Sequence, residues 1–381
     1  MANRYWVGGS GNWNDTAQWS TSSGGGSGAS VPTSTDDVFV DSSSGFGIFG
    51  GTITLDGAYL STVCRDFSST SGLTYTIANG SSDFACYGSM VLEASLTWDS
   101  GSNVWLYMVS STSGKTITSN GCVINFLSFG DQGALGGIAD GGAWTLQDNM
   151  EVRDKFYCEI GSFNANNYNV TASTFDIQSF YGYTITISMG TGTWEATGNV
   201  STSTLNLFGD VGSPLVINQS TSTIKFTDSS SNIATISIDS SDTTIVLNNI
   251  WFSRGASTGD NYFNTNMTCN QFKTTGTLGH SLYFAEGTTL TTTTFVALGS
   301  FLSQIIISSF SGGVPSTGTH NLVKNGGGKI SCDYLDIQHS VATPANTWYA
   351  GVNSTDNQGT ATAGSGWKFE VPTNSEMLSL F

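Results

Sequence analysis

Carboxylates are the side chains of this sequence that could do chemistry with the fewest partners. Two acids flanking a glycosidic bond suffice to hydrolyse it, and oxygen-rich turns suit calcium. The densest acidic group is Asp36, Asp37 and Asp41, and Asp239 with Asp242 form a second group. No Asp-x-Asp-x-Asp-Gly loop is present, and solvated turn acids are the simpler reading of both groups. We therefore predict neither a catalytic pair nor a metal site, with calcium at the first group as the alternative.

The three histidines, His280, His320 and His339, lie in no motif that would make them catalytic. None stands in a G-x-S-x-G nucleophile elbow or an H-E-x-x-H zinc motif. The segment NGGGK at 325–329 lacks the G-x-x-x-x-G-K-[ST] spacing of a phosphate loop. The sequence therefore predicts a protein that is not an enzyme, with no catalytic residues and no cofactor.

The cysteines also argue against a metal site. They form no C-x-x-C pair, and no histidine lies near them at ligand spacing. Cys64, Cys269 and Cys332 each stand three residues before a large apolar residue, in VCRDF, TCNQF and SCDYL. This context predicts one structural position that is reused in a repeat. We expect reduced, mostly buried thiols that act as small hydrophobes.

The elements that must position these residues are strands. Only 10% of residues are charged, while 38% are hydrophobic and 12% aromatic, and 47 are glycine. Residues that stabilise helices are scarce, and β-branched and aromatic residues, which fit a pleated surface, are common. The composition predicts an all-β protein.

Short, alternating, Thr-rich runs recur along the chain at 116–121 (TITSNG), 168–173 (YNVTAS), 191–198 (TGTWEATG), 221–229 (TSTIKFTDS) and 288–295 (TTLTTTTF). Each has strand length and is bounded by small polar turns. A sandwich or a barrel rarely needs more than roughly 250 residues for one domain, and no linker divides this chain. A solenoid of coils of roughly twenty to thirty residues accommodates the length and stacks like residues.

The predicted organisation is one continuous solenoid with two closed ends. Residues 1–49 form a Trp-rich N-terminal cap, 50–340 a parallel β-helix, 341–369 a C-terminal closing cap, and 370–381 a tail. The apolar residues of the tail form a candidate docking segment for a partner. They are Met377, Leu378, Leu380 and Phe381.

The tryptophans concentrate where a solenoid is weakest. Trp6, Trp13 and Trp19 fall within RYWVGGSGNWNDTAQWS, and Trp348 and Trp367 lie near the other end. The terminal coils of a solenoid expose an apolar core and unpaired strand edges, which large rings can cover. We predict that these five residues are capping aromatics. A platform on which a sugar ring stacks is the alternative for the first three.

Charge and hydropathy exclude several classes of partner. The net charge is −17 with only 11 Lys and Arg, so binding to nucleic acid is not expected. No run of about 20 apolar residues would span a membrane. The first residues, MANRYWVGG, contain no apolar segment of a secretory signal peptide. We expect synthesis in a cytoplasm.

Several segments together resemble a family of β-solenoid proteins common in tailed bacteriophages and environmental viral sequences, with related pieces in bacterial surface proteins. The segments include YWVGGSGNWNDTAQWS…VPTSTDDVFVD at 5–41, GGAWTLQDNMEV at 141–152, FAEGTTLTTTTF at 284–295 and SCDYLDIQHSVATPANTWYAGVNSTDN…GWKF at 331–369. The resemblance implies a right-handed parallel β-helix with a structural or surface role in a virion, and it implies no catalytic residues. The sequence departs from it at 370–381 and in an enlarged turn at 131–142.

Three functions remain after these exclusions. The first is a non-enzymatic bacteriophage virion protein, displayed on the particle as a decoration or fibre-type component. The alternatives are a tailspike-like receptor- or glycan-binding protein and a bacterial surface adhesin. Expected partners are other virion proteins or copies of the chain, for example in a homotrimer, and a host-surface glycan in the second case.

Overall fold

The structure is a computed structural model. It describes residues 1–99, 103–130, 142–180, 182–198, 202–240, 244–255, 257, 259–276, 280–357 and 365–372. These residues form 39 strands, one three-residue 3₁₀ helix (Thr16–Gln18) and no α-helix. The protein is therefore all-β, as its composition predicts. None of the helical residues described forms a segment long and apolar enough to cross a membrane.

The first twenty strands, β1 to β20, cover the chain to Ser188. In order they are Asn3–Trp6, Gly11–Asn12, Trp19–Ser20, Asp37–Val40, Thr52–Leu55, Thr62–Cys64, Phe67–Ser69, Tyr75–Asn79, Phe84–Cys86, Met90–Val91, Leu96–Trp98, Trp105–Met108, Lys115–Thr118, Val123–Ile124, Phe126–Phe129, Ala143–Leu146, Met150–Cys158, Gly161–Asn164, Val170–Ser179 and Ile185–Ser188.

Strands β21 to β39 cover the remainder. In order they are Thr193–Ala196, Ser203–Gly209, Leu215–Asn218, Thr223–Phe226, Ala234–Ser240, Val246–Gly255, Asn261–Phe263, Met267–Gly276, Ser281–Ala285, Thr289–Ala297, Ile305–Ser311, Val314–Pro315, His320–Lys324, Ile330–Ser331, Leu335–Ile337, Ser340–Thr343, Trp348–Tyr349, Thr355–Asp356 and Trp367–Lys368.

The chain divides into two compact units. Unit 1 comprises Met1–Ala172, Asp176–Gly192 and Gly212–Asn218. Unit 2 comprises Ser173–Phe175, Thr193–Val211 and Gln219–Phe381.

Unit 1 contains three ladders of hydrogen-bonded strands. The first has the order β23-β20-β18-β16-β13-β10-β7-β4-β1-β3, and its pairs are parallel except β1 with β3. The second is the parallel ladder β11-β8-β5-β2, and the third joins β6, β9, β12, β15 and β17 in parallel. From β4 to β12 the chain visits the first, second and third ladder in turn and then returns to the first.

Unit 2 also consists of parallel ladders. One joins β21, β24, β26, β28, β30, β33 and β36, and another joins β22, β25, β27, β29, β31, β35 and β38. A third, short ladder joins β34, β37 and β39. Among the described strands of this unit, the pair β31 and β32 is antiparallel.

Register explains the core, because each strand places alternate side chains inward and parallel pairing stacks them. In unit 1, Val38, Phe67, Met90, Ile117 and Leu146 are successive partners and all are buried. Neighbours in this column are 23 to 29 residues apart in sequence. Burial of this apolar column is a main source of stability for the ladder.

In unit 2, phenylalanines stack on phenylalanines inside the core. Phe226 and Phe252 lie with ring centroids 4.5 Å apart and planes 2° apart, and Phe263 lies 4.5 Å from Phe284. Each pair joins residues at the same register position of two neighbouring strands. Parallel pairing in register therefore places the same residue type at the same core position of neighbouring strands.

The segment 1–49, predicted to be a cap, also contributes strands to the ladders of unit 1. Asn3 of β1 pairs with Asp37 of β4, and Val38 of β4 pairs with Phe67. Gly11 of β2 pairs with Ile53. The first tryptophans consequently lie inside the first layers of the parallel core.

All six cysteines are buried free thiols. Cys64 stacks on Cys86 in the third ladder of unit 1, whereas Cys269 pairs with Leu247 in a ladder of unit 2. Cys332 follows β34 in yet another ladder. The shared position predicted for Cys64, Cys269 and Cys332 is therefore wrong, because the three-residue spacing to an apolar residue does not fix the register.

Candidate functional site

The N-terminal tryptophans form one buried cluster. Trp6 and Trp13 each lie edge-on to Trp19, with centroids 5.0 and 4.9 Å away, and all three are 0% exposed. The indole of Trp6 donates to the Gly9 carbonyl (2.6 Å), and that of Trp19 donates to the Trp13 carbonyl (2.7 Å). No ring face is open to solvent, which excludes a sugar-stacking platform in this state and leaves capping as the role we propose.

A second buried pair lies near the other end of the sequence. Trp348 and Trp367 have centroids 5.2 Å apart, and Trp348 also contacts Phe295 at 5.4 Å. The indole nitrogens of Trp348 and Trp367 donate to the Thr343 carbonyl and the Ser340 hydroxyl. Both rings are thus held by ring contacts and by a hydrogen bond from the indole N–H. They are buried and expose little surface to a ligand.

The acidic group at 36–41 is occupied by structural contacts. The Asp36 carboxylate accepts hydrogen bonds from the backbone of Ala2 and from Thr33. Asp37 binds Arg65, with Arg65 Nε 2.6 Å from Asp37 Oδ1. Asp41 Oδ1 accepts from the backbone N–H of Ser43 in its own turn. Burial alone would raise the pKa of Asp36, but the hydrogen bonds from Thr33 and Ala2 outweigh it and lower that pKa. The three carboxylates point at separate partners, so the structure brings no calcium-like set together here.

Among all described residues, no group of three or more His, Cys, Asp or Glu is placed to hold a metal ion.

The most catalytic-looking contact is a serine beside a histidine. Ser309 Oγ lies 2.8 Å from His320 Nδ1 and 3.1 Å from the His339 carbonyl oxygen, to which it donates. With the serine proton on that carbonyl, the tautomer of His320 that is protonated at Nδ1 satisfies both contacts. Both residues are 0% exposed, so the pair is sealed from solvent.

The remaining histidines are also structural. His280 is 2% exposed, and burial followed by the charge of Arg254 lowers its pKa. His339 adopts a left-handed backbone with φ of 51° and supplies its carbonyl to Ser309. None of the three reaches a reactive partner in the described part of the chain.

His320 makes stability sensitive to acid. Burial lowers its pKa to about 3 from an ordinary value near 6.5. Between these values the unfolded chain binds a proton that the folded chain cannot, so stability falls as pH falls. In the parent protein, this histidine lowers the free energy of unfolding by about 2 kcal/mol between pH 7 and pH 5. We expect His320→Gln to remove that part of the pH dependence. Denaturant melts at both pH values measure it.

His339→Asn is the second variant, since asparagine tolerates the left-handed backbone. The charge of His339 is the lesser cause of the lowered pKa of His320, so this variant should keep most of the pH difference. Comparing the pH difference within each variant cancels any fixed cost of substitution. An unchanged pH difference in His320→Gln would show that acid sensitivity arises elsewhere.

The concave site of unit 2 is a cavity of about 410 Å³. Its walls are the end of β25 (238–239), the start of the β26 region (244–245), the turn and strand at 265–268, and β30 at 289–291. Its apolar lining consists of Ile238, Ile245 and Met267, which are buried. The cavity arises because turns of successive parallel strands come to lie beside one another.

The rest of the lining is polar and uncharged apart from one carboxylate. Asn266 Oδ1 accepts from the Thr289 backbone (2.9 Å), which fixes the side-chain amide. The carboxylate of Asp239 makes no hydrogen bond to the described part of the chain, and the same holds for the hydroxyls of the five threonines that line the cavity. These are Thr244, Thr265, Thr268, Thr289 and Thr291. Seven polar side chains therefore converge on one cavity.

Of these residues the sequence pointed only to Asp239, and its predicted companion Asp242 lies outside the described residues. The threonines and Asn266 were missed as site residues. The available signal was the recurrence of Thr and Asn immediately before successive strands, in NTNMT and GTTLTTT. The predicted docking residues Met377, Leu378, Leu380 and Phe381 also lie outside the described residues, as does the enlarged turn except Gly142.

Each unit displays one reverse turn with two large apolar side chains at its tip. In unit 1, Gly50 N–H donates to the Gly47 carbonyl, and Ile48 and Phe49 are 90% and 97% exposed. In unit 2, Ser300 and Ser303 exchange two 3.0 Å backbone hydrogen bonds, and the residues between them, Phe301 and Leu302, are 82% and 90% exposed. We name these the apolar turns, 47–50 and 300–303. Each apolar turn therefore holds two large apolar side chains in solvent.

Trp251, on the outer face of β26, contacts two lysines. The ring of Trp251 has Lys273 Nζ 4.3 Å and Lys225 Nζ 4.9 Å from its centroid. These lysines come from the strands on either side of β26. The arrangement stabilises the ladder through cation–π attraction.

No family model, no curated protein and no solved structure matches this chain.

Proposed function

We propose that the protein is a single right-handed parallel β-helix that serves as a non-enzymatic structural protein on the surface of a bacteriophage particle. The observation that carries this proposal is the cyclic order in which the chain visits three parallel ladders from β4 to β12. A chain that returns to each ladder after a circuit adds one coil per circuit. Such a stack is stiff and suits display.

Closed ends fit the same function. In this proposal Trp6, Trp13 and Trp19 cover the core of the first coils, and Trp348 and Trp367 cover the last. Their burial and their saturated indole N–H groups at Trp6, Trp19, Trp348 and Trp367 favour the capping role. Capped ends prevent solenoids from joining end to end.

The fate of the reactive side chains favours a non-enzymatic role. Asp36 and Asp37 are used to hold backbone and Arg65, and His320 is sealed in the core with Ser309. The buried thiol of Cys64 has a raised pKa, mainly through burial, so it is not a nucleophile. In this proposal the chain is made in the host cytoplasm and then assembles with other virion proteins or copies of itself.

Attachment to the particle is assigned to the apolar turns. Burying two large apolar side chains supplies several kcal/mol per turn, which suits a docking knob. We expect Phe301→Ser with Leu302→Ser to lower incorporation into particles at least several-fold, without unfolding the chain, because both side chains are exposed. Antibody labelling in electron micrographs of phage particles, with quantitative blots, measures it.

Val211→Ser is the control, since Val211 is an exposed apolar residue outside the apolar turns. Particles without any label would contradict the virion role itself. Normal incorporation of the double variant would instead contradict docking through this turn.

Glycan binding is the second candidate function, in the manner of a tailspike receptor-binding protein. The specific observation that favours it is the cavity of unit 2, whose lining is rich in hydroxyls. It is compatible with display on a particle, where a stiff support would present the cavity to a cell surface.

A further inference from the structure

We propose that the cavity of unit 2 binds an uncharged saccharide without cleaving it, with Asp239 as its principal hydrogen-bond acceptor. The inference rests on the glycan-binding candidate and specifies its ligand. Binding can be measured on the isolated chain, so its failure is distinguishable from failure of the display function. The cavity of about 410 Å³ lies in the size range of small-molecule sites.

The polar groups match a ligand that carries many hydroxyls. Asp239 is an acceptor with two oxygens, so it can accept from two neighbouring sugar hydroxyls. The side-chain oxygen of Asn266 accepts a hydrogen bond from the Thr289 backbone, so the NH₂ group is the part of this amide that donates to a ligand. The threonine hydroxyls both donate and accept. A polyhydroxylated ring can satisfy all three kinds of group at once.

The apolar residues of the lining contribute little surface. Ile238, Ile245 and Met267 are at most 7% exposed, so recognition rests on the polar groups around the cavity.

Charge selects among saccharides. No Lys or Arg belongs to the described lining, and its one charged group is the Asp239 carboxylate. An acidic sugar would bring a second negative charge to that carboxylate without a cation to compensate, in a chain of net charge −17. The site therefore favours neutral sugars over uronates.

Binding without cleavage is the part of the proposal that rests on the acids of the described lining. Hydrolysis by either common route uses two carboxyl groups, about 5–9.5 Å apart on either side of the bond. The described lining has one, Asp239. A single carboxylate can orient a sugar but cannot supply both an acid and a base or nucleophile.

The test measures binding of chitotriose, maltotriose, mannotriose and cellotriose to the full chain by saturation-transfer NMR and calorimetry. We expect at least one to bind, and Asp239→Ala to weaken that binding about tenfold or more. Thr268→Val, which keeps the shape and removes a hydroxyl, should weaken it less. Asp210→Ala, an exposed acid outside the cavity, is the matched control.

Trigalacturonate serves as the acidic probe and is expected to bind more weakly than the best neutral sugar. The proposal is overturned if no neutral trisaccharide binds at millimolar concentration, if trigalacturonate binds best, or if Asp239→Ala binds like the parent. Shortened products after incubation would overturn the claim of binding without cleavage. Unchanged melting temperatures of the variants exclude misfolding as the cause of lost binding.

Discussion

Replacing Trp13 and Trp19 together by alanine is expected to lower the free energy of unfolding by about 6 kcal/mol. Each buried Trp→Ala substitution typically costs about 3–5 kcal/mol through lost burial and the cavity it leaves. Both residues are 0% exposed, and their rings are in contact at 4.9 Å. Because the rings are in contact, the two substitutions leave one common cavity, and their stability costs add to less than the sum of the single costs. Denaturant melts of both single variants and the double variant measure the cost.

Phe49→Ala is the control for this cluster, since Phe49 is an aromatic residue of the same unit that is 97% exposed. Its substitution is expected to change stability by less than about 0.5 kcal/mol. A double tryptophan variant that melts like the parent would mean that the rings are not part of the core, and it would return the cluster to the ligand-stacking hypothesis.

Replacing Arg254 by methionine is the second large change, with an expected cost of about 3–5 kcal/mol. Arg254 is a fully buried cation, and its guanidinium lies 3.3 Å from the Asp228 carboxylate. It also donates to carbonyl oxygens of Asp228, Gly259 and Asn232. Burial lowers its pKa, and the charge of Asp228 opposes that shift. Removal of the cation leaves Asp228 buried without its ion-pair partner and removes the hydrogen bonds that Arg254 donates to these three carbonyl oxygens.

A double-mutant cycle separates these two costs. Adding Asp228→Asn to Arg254→Met removes the stranded charge, so we expect it to recover part of the loss. Lys273→Met is the control, because Lys273 is half-buried on the outer face beside Trp251 and its loss should cost about 1 kcal/mol or less. A loss below about 1 kcal/mol in Arg254→Met would contradict the structural role of the buried ion pair.

The strands themselves could be predicted because their signal is local. The run at 221–229 contains β24, Thr223–Phe226, and the run at 191–198 contains β21, Thr193–Ala196. In both, apolar residues alternate with polar ones, and alternation at period two places every second side chain inward. Small polar turns mark where each run stops.

The candidate site could not be predicted because it is made by register. Asp239 and Asn266 meet at one cavity only because strands from successive repeats pair in parallel. Turn lengths vary from repeat to repeat, so one sequence does not fix which residues become neighbours. The same applies to Cys64, which stacks on Cys86 and not in the ladder of Cys269.

The sequence by itself determined the class of structure, the strand runs and the low helix content, since these depend on composition and on periodicity within a few residues. Only the tertiary structure decided that Trp6, Trp13 and Trp19 are buried, and that Phe301 and Leu302 are exposed. Neither outcome follows from residue type, because both sets are large and apolar. Burial depends on whether a neighbouring strand or turn lies over a side chain, and that is set by pairing between strands that are not adjacent in the local sequence pattern.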